Sequence, residues 1–395
     1  IIYKLTFEKW ISQYSFSFND EKKISYVFYF DDFQEPILPK SAIYSLPEKE
    51  KIISKTQSKL IFEKTKYFPN NTELSLAFIN SNNVNYYGVK RQNDSIVYIN
   101  NSQDIFEIGS ITKVFTANLL AKAVVENKIK LDENINDHLK IKIKKNTKIS
   151  FKSLANHTSG LPRMPSNFDD HTDSPENPYK HYNQSYLEDY LKKKLRLDKK
   201  IIGKPSYSNI GFGILGYTIS KIYEMTYEDL IQHFIFSKYE MNGSFLTADK
   251  VDKRLVNGLN EKGNITSNWD FSAMSSAGGI LSNVEDLVNY GTAHFDESNI
   301  ELNVLKKKTA KVNEKIDIGI GWHIINSEKS GNKWHWHNGG TGGYSSSMAL
   351  DFNNKTGVVI LSNVSAFNPY QESIDQLCFE LMKTLKDVNG AYYYE

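Results

Sequence analysis

Strand-like segments lie towards both ends of this chain, with a long helical and irregular stretch between them, and no other feature restricts the fold as much. Apolar runs bounded by turn residues occur at Leu74–Ile79 and Val84–Val89, joined by the turn-like Asn80-Ser-Asn-Asn83. Glycine-punctuated runs of the same kind return near Gly319–Ile324, Trp334–His337, Ser345–Leu350 and Gly357–Leu361. Unpaired strand backbone is costly to bury, so the two groups must meet in one antiparallel sheet assembled from distant parts of the chain. Apolar residues at helical spacing predict helices from Pro47 to about Lys66, from Ser110 past residue 124, from Gly211 towards Tyr223, around Glu228–Phe236 and over Glu372–Leu385. The expected fold class is an α/β sandwich, an antiparallel sheet flanked by helices. A mostly helical lobe, roughly 129–275, is inserted into it, and the active site is expected in the cleft between lobe and sheet.

At 395 residues the chain can hold one large domain with an insertion, or two domains. Its 48 basic side chains meet 46 acidic ones, a balance of +2, so no global field favours nucleic acid or an anionic membrane. No apolar run approaches the ~18–20 residues of a membrane span. Cys378 is the single cysteine, so this sequence forms no internal disulfide; it lies in an apolar-periodic segment and reads as core packing. The chain begins Ile1-Ile-Tyr without a methionine, which is compatible with a removed leader. Residues 1–45 are rich in Tyr and Phe, with prolines at Pro36 and Pro39, and the alternation over 23–30 predicts a strand. They read as an N-terminal extension of unknown role.

Three short polar groups carry the chemistry. Ser110-Ile-Thr-Lys113 stands at the mouth of an apolar helical run, Tyr207-Ser-Asn209 follows, and His337-Asn-Gly-Gly340 comes last. A serine that opens a helix has its N–H at the positive end of the dipole, and a lysine one turn on projects from the same face. Burial lowers a lysine's pKa, so Lys113 can accept the serine proton. Taken alone, the tetrad equally describes a helix-capping serine with a surface lysine. Tyr207 supplies a phenol that can act beside Lys113 as base or acid, and sequence leaves open which of the two takes the first proton. Asn209 offers amide groups to orient Lys113 and a substrate acyl chain. His337 heads the only His-x-Gly in the chain, and Gly339 and Gly340 let an acyl group approach the backbone without a Cβ in the way. The N–H groups of Ser110 and Gly340 are the expected oxyanion pair. His335, two residues before His337, shares its strand face, yet no third ligand at a convincing spacing follows, so no metal and no cofactor is expected. His157 reads as a structural residue of a turn.

The order and setting of these groups resemble the serine β-lactamase-related hydrolases: class C β-lactamases, D-alanyl-D-alanine carboxypeptidases, D-aminopeptidases and esterases of one fold. The resemblance rests on Phe106-Glu-Ile-Gly-Ser-Ile-Thr-Lys-Val-Phe115, on Leu154-Ala-Asn-His-Thr-Ser-Gly-Leu-Pro162, on Ser276-Ala-Gly-Gly-Ile-Leu-Ser282 and on His337-Asn-Gly-Gly-Thr-Gly-Gly343. It runs from about Leu46 to the C-terminus. It implies the β-lactamase/transpeptidase-like type of the sandwich, a hydrolase domain over 46–395 and an acyl-serine intermediate on Ser110. A small-molecule or peptide substrate is implied, with a penicillin-binding-type D-amino-acid peptidase or carboxypeptidase as first reading and a carboxylesterase or a silent binding protein as alternatives. A periplasmic or secreted location is implied by the family alone. The strand triplet departs from the β-lactamase pattern, which begins with lysine where this chain has His337.

Overall fold

The structure, a computed structural model, describes residues 2–7, 10–18, 24–30, 42–44, 52–81, 83–172, 174–326 and 333–385. Its strands are β1 (Ile2–Phe7), β2 (Trp10–Phe18), β3 (Ile24–Phe30), β4 (Ile43–Tyr44), β5 (Glu73–Asn80), β6 (Asn83–Gln92), β7 (Ser95–Ile99), β8 (Phe106–Glu107), β9 (Leu281–Ser282), β10 (Ala310–Lys311), β11 (Ile316–Ile318), β12 (His323–Asn326), β13 (Lys333–Gly340), β14 (Ser345–Asp351) and β15 (Thr356–Ser362). Ten of them form one sheet in the order β10-β11-β12-β13-β14-β15-β5-β6-β7-β4. The seam between the two ends of the chain is β15 against β5, antiparallel with Val359 opposite Ala77. Every pairing in this sheet is antiparallel except the short β4–β7 contact at its edge.

The sheet is covered on both faces, which explains why β14 and β15 are buried along their whole length. Period-two alternation sends Leu74, Leu76 and Phe78 to one side with Val358 and Ile360, where they meet Ile61 and Phe62 of the helix Lys55–Thr65 and Ile374, Leu377, Cys378 and Leu381 of the helix Glu372–Met382. Ala77, Ile79, Val359 and Leu361 face the other way, into the larger core with Leu287 and Val288 of the helix Val284–Ala293. The helix Thr112–Val125 buries Thr112 through Ala121 without a break. A helix buried on every side belongs in the middle of a domain.

Among the described residues between Val125 and Leu281 there is no strand; helices and turns make up this stretch. The miniature sheet of β8 and β9 closes its two ends together, Glu107 opposite Leu281. Two expectations are corrected in detail. Gly319–Ile324 is mostly a turn rather than a strand, because Gly321 takes a left-handed φ of +77°. A Cβ there would lie 2.6 Å from Ala117 Cβ. The helix expected from Ser110 begins at Thr112, with Gly109–Ile111 wound into a tighter 3₁₀ turn.

Chain contacts separate Ile1–Ser41 from Ala42–Glu395. The division falls a few residues before the expected residue 45, since β4 already pairs with β7. Within the smaller unit, β1, β2 and β3 form an antiparallel meander, and β3 covers the strand expected over 23–30.

Candidate active site

The nucleophile candidate is fixed by glycines at a backbone crossing. Gly109 has φ +50°, and a Cβ on it would stand 2.5 Å from the Gly340 nitrogen. A Cβ on Gly339 would fall inside contact distance of the Ile108 carbonyl oxygen, to which the Ser346 hydroxyl donates at 2.8 Å. The turn that carries Ser110 therefore lies directly on β13, and only glycine permits that approach. Thr341 N–H donates to the Tyr344 carbonyl at 2.9 Å across the β13–β14 hairpin. By the alternation of an antiparallel ladder, Gly340 N–H then points away from β14, towards Gly109 and Ser110.

Lys113 stands beneath the half-buried Ser110. Its side chain is fully buried, and Nζ donates to Ser110 Oγ at 2.9 Å and to the Ala277 carbonyl at 2.6 Å. Burial, reinforced by the Arg163 charge, lowers its pKa well below that of a free lysine. Lys113 Nζ also lies 4.9 Å from the centre of the Tyr207 ring. Burial raises the Tyr207 pKa, an effect that the neighbouring Ser110 side chain and Arg163 only partly offset, so the phenol keeps its proton at neutral pH.

The loop that presents Tyr207 is clamped by His157, which holds φ +60°. His157 accepts Ser206 N–H on its carbonyl at 2.8 Å and Ser208 N–H on Nδ1 at 3.1 Å, and its ring lies 4.4 Å from that of Tyr207. Accepting at Nδ1 requires the neutral tautomer with its hydrogen on Nε2. Burial, with Lys113 close by, keeps the imidazole neutral by lowering its pKa well below the usual value. Ser208 caps the helix Asn209–Tyr223, accepting Gly211 N–H at 3.0 Å, and donates to the Pro162 carbonyl at 2.7 Å.

Asn209 does not hold Lys113. Its Nδ2 contacts Met164 Sδ at 3.6 Å and its buried Oδ1 has no hydrogen-bond partner among the described residues, so the orienting carbonyl for Lys113 is that of Ala277. The reason is geometric: Asn209 is the first residue of the helix, and its N–H is tied to the Arg163 carbonyl at 2.9 Å. His337 is buried, with Nδ1 2.7 Å from the Asn338 carbonyl and its ring 6.3 Å from Tyr207. Burial and the nearby His323 and Lys113 lower its pKa well below the usual value. His335 lies elsewhere, its Nε2 3.1 Å from the Lys306 carbonyl and its ring stacked on Phe352.

Three contributors were missed as site residues in the sequence. His323 of β12 packs edge-on against His337 at 5.3 Å, and burial lowers its pKa to about 4. Arg163 places its guanidinium 5.2 Å from the centre of the Tyr207 ring. Ala277 acts through its backbone, which no side-chain pattern announces. Arg163 directly follows the quoted Leu-Pro turn, so its position was the one available signal.

A family model described as Beta-lactamase matches residues 74–381. A beta-lactamase of Providencia stuartii is 26% identical over 230 residues, covering 57% of this chain and 53% of that protein. The chain thus spans about half the length of that relative. A beta-lactamase of Pseudomonas fluorescens is 23% identical over 329 residues, 73% of this chain and 88% of its own. Among solved structures, a class C beta-lactamase in complex with cefoxitin aligns with a TM-score of 0.68 at 22% identity, over 84% of this chain and 98% of its own. The beta-lactamase/D-alanine carboxypeptidase of Pseudomonas syringae aligns at 0.67 and 18% identity, over 82% and 99%. At these identities the structural likeness is one of fold.

Proposed function

The chain belongs to the beta-lactamase family of serine hydrolases, and from that premise we propose that it hydrolyses an amide or ester through an acyl-serine on Ser110, as a penicillin-binding-type D-amino-acid peptidase or carboxypeptidase. The observation that carries the reading is the hydrogen bond between Lys113 Nζ and Ser110 Oγ at 2.9 Å, made by a lysine with no exposed surface. In its neutral form that amine accepts the hydroxyl proton as Oγ attacks the substrate carbonyl. The N–H groups of Ser110 and Gly340 receive the developing oxyanion. Tyr207, which retains its proton, donates to the leaving group and is reprotonated through Lys113. This order makes Lys113 the first base and Tyr207 the acid. Water then attacks the acyl-enzyme by the same path in reverse.

His337 supports a peptidase over an efficient β-lactamase. A lysine at the head of this strand triplet presents a fixed charge to substrate; the buried His337 is neutral. A carboxylesterase is the alternative that the same neutral strand favours. Steady-state turnover of D-alanyl peptides, short acyl esters and nitrocefin by the wild type and by Ser110→Ala tests the reading. Peptide turnover that vanishes in Ser110→Ala supports it; ester turnover without peptide turnover selects the esterase, and fast nitrocefin hydrolysis overturns it in favour of a β-lactamase.

A further inference from the structure

Glu107 is a buried carboxylic acid beside the reacting centre that the proposed chemistry leaves unused. It stands on β8, three residues before Ser110, with 3% of its surface exposed. Its Oε1 accepts the Trp269 N–H and the Asn268 side-chain amide, both at 2.8 Å. Burial raises its pKa to about 7, against the opposing pull of the Thr341 hydroxyl, Asn268 and the Trp269 N–H, all of them uncharged donors. Neither Glu107 Oε2 nor Thr341 Oγ1 has another hydrogen-bond partner among the described residues. Thr341 follows Gly340 directly, and its backbone is already committed: its N–H donates to the Tyr344 carbonyl at 2.9 Å, and its carbonyl accepts Ala366 N–H at 3.0 Å. Only its hydroxyl, fully buried, is left for Glu107. Residues 107–110 thus run along the end of β13, with Glu107 at Thr341, Ile108 at Gly339 and Ser346, and Gly109 at Gly340. A buried carboxyl group costs stability unless its hydrogen bonds are made, and the bond that completes this set is the one to Thr341.

We propose that Glu107 is a positioning residue for the oxyanion site: its carboxyl group ties Thr341 to the nucleophile turn, and so holds Gly340 N–H where it can converge with Ser110 N–H on one oxygen atom. The inference rests on the acyl-serine reading above. The two donors come from segments 230 positions apart (340 − 110), so tertiary contacts alone set their separation. Each must reach within ~2.7–3.1 Å of the developing oxyanion, so a small shift of the β13–β14 hairpin costs rate more than binding. The role is geometric, since Glu107 itself touches no substrate. Glutamine can fill it: the carboxamide keeps an oxygen for Trp269 and Asn268 and offers an N–H to Thr341.

The test compares phenyl acetate with its thionoester, in which sulfur replaces the carbonyl oxygen, for the wild type, Glu107→Gln, Glu107→Ala and Thr341→Val. Sulfur is a weak hydrogen-bond acceptor, so the thionoester gains less from a well-placed oxyanion site. In Glu107→Ala and Thr341→Val, kcat on the ester should fall about 10- to 100-fold with KM little changed, short of the ~100–1000-fold typical of losing a whole donor. The thionoester should lose far less. Glu107→Gln should stay within a few-fold of the wild type. Thr341→Val keeps the shape of the side chain and serves if Glu107→Ala does not fold. Labelling of Ser110 by a fluorophosphonate, whose phosphoryl oxygen enters the same site, is timed on the same proteins and should slow in parallel with ester turnover. Where neither ester turns over, the labelling rates decide in the same way. Equal losses on ester and thionoester, a wild-type rate in Thr341→Val, or a Glu107→Gln variant as slow as Glu107→Ala would each overturn the inference and leave the hydrolase reading intact. A wild type that turns over neither ester and takes no label on Ser110 would remove the hydrolase reading and this inference with it.

Discussion

Glycines and histidines at single positions decide how closely the two halves of the site approach. Gly339→Ala would drive a methyl group into the Ile108 carbonyl, a backbone group that cannot swing aside as the neighbouring Ser346 hydroxyl can. We expect a loss of roughly 1–3 kcal/mol of stability, as for an overpacked core, together with most of the activity; chemical denaturation and ester turnover on the same preparation check both. His157→Ala should leave Ser208 N–H without its acceptor and put a residue with no tolerance for φ +60° in the turn. Its kcat should drop well before KM changes, whereas a merely structural loss would lower the active fraction and leave both constants of the remaining enzyme alone. The sequence made Ser110, Lys113, Tyr207 and His337 legible because their spacing and neighbours are distinctive. Spacing alone would not have sufficed, since Ser330-Gly-Asn-Lys333 repeats the serine–lysine interval. His157 was visible only as a turn residue, because its hydrogen bonds reach 49 and 51 positions along the chain (Ser206 and Ser208), a separation that no local pattern encodes.

At the scale of elements, the site depends on two short segments being joined: 157–163 and 206–210 share the bonds of His157, Pro162 and Arg163. Ser208→Ala removes both the cap of the helix Asn209–Tyr223 and the bond to the Pro162 carbonyl. A cost of about 1–2 kcal/mol is expected from the cap, with a fall in kcat because Tyr207 precedes the cap directly. A variant that lost stability but kept the wild-type kcat would separate the loop from the chemistry. Strands were readable where short apolar runs stand between turn residues, as in β5 and β15. The expected strand over Gly319–Ile324 resolved into a turn and the start of β12, because the approach of Gly321 to Ala117 is a tertiary demand. The Lys113–Ala277 contact was not legible for the same reason: it joins elements far apart in the chain through a carbonyl that every residue possesses.

For the whole molecule, buried titratable groups set the response to acid. His294, His323 and His335 have pKa values lowered by burial to about 3, 4 and 4. As pH falls below ~6.5, the unfolded chain takes up protons that these folded imidazoles refuse, so their contribution to stability declines. Glu107 and Asp375, raised by burial to about 7 and 6, work in the opposite sense: the folded state holds their protons, and that contribution is lost as pH rises through this range. His294→Phe isolates one term, because the ring already stacks on Phe352 at 5.1 Å. Between pH 7 and 5 the variant should lose about 2 kcal/mol less stability than the wild type in denaturant titrations; identical losses would contradict the assignment. The antiparallel sheet joining both ends of the chain was legible as a whole, since strand runs without partners nearby must find them at a distance. The central claim, that Ser110 is a nucleophile deprotonated by a buried Lys113, is tested most directly by intact-mass measurement with peptide mapping after brief exposure to a fluorescent penicillin or a fluorophosphonate. A single adduct on Ser110 in the wild type, absent from Ser110→Ala and slowed by orders of magnitude in Lys113→Ala, is the predicted result; no adduct, or one on another residue, would contradict it.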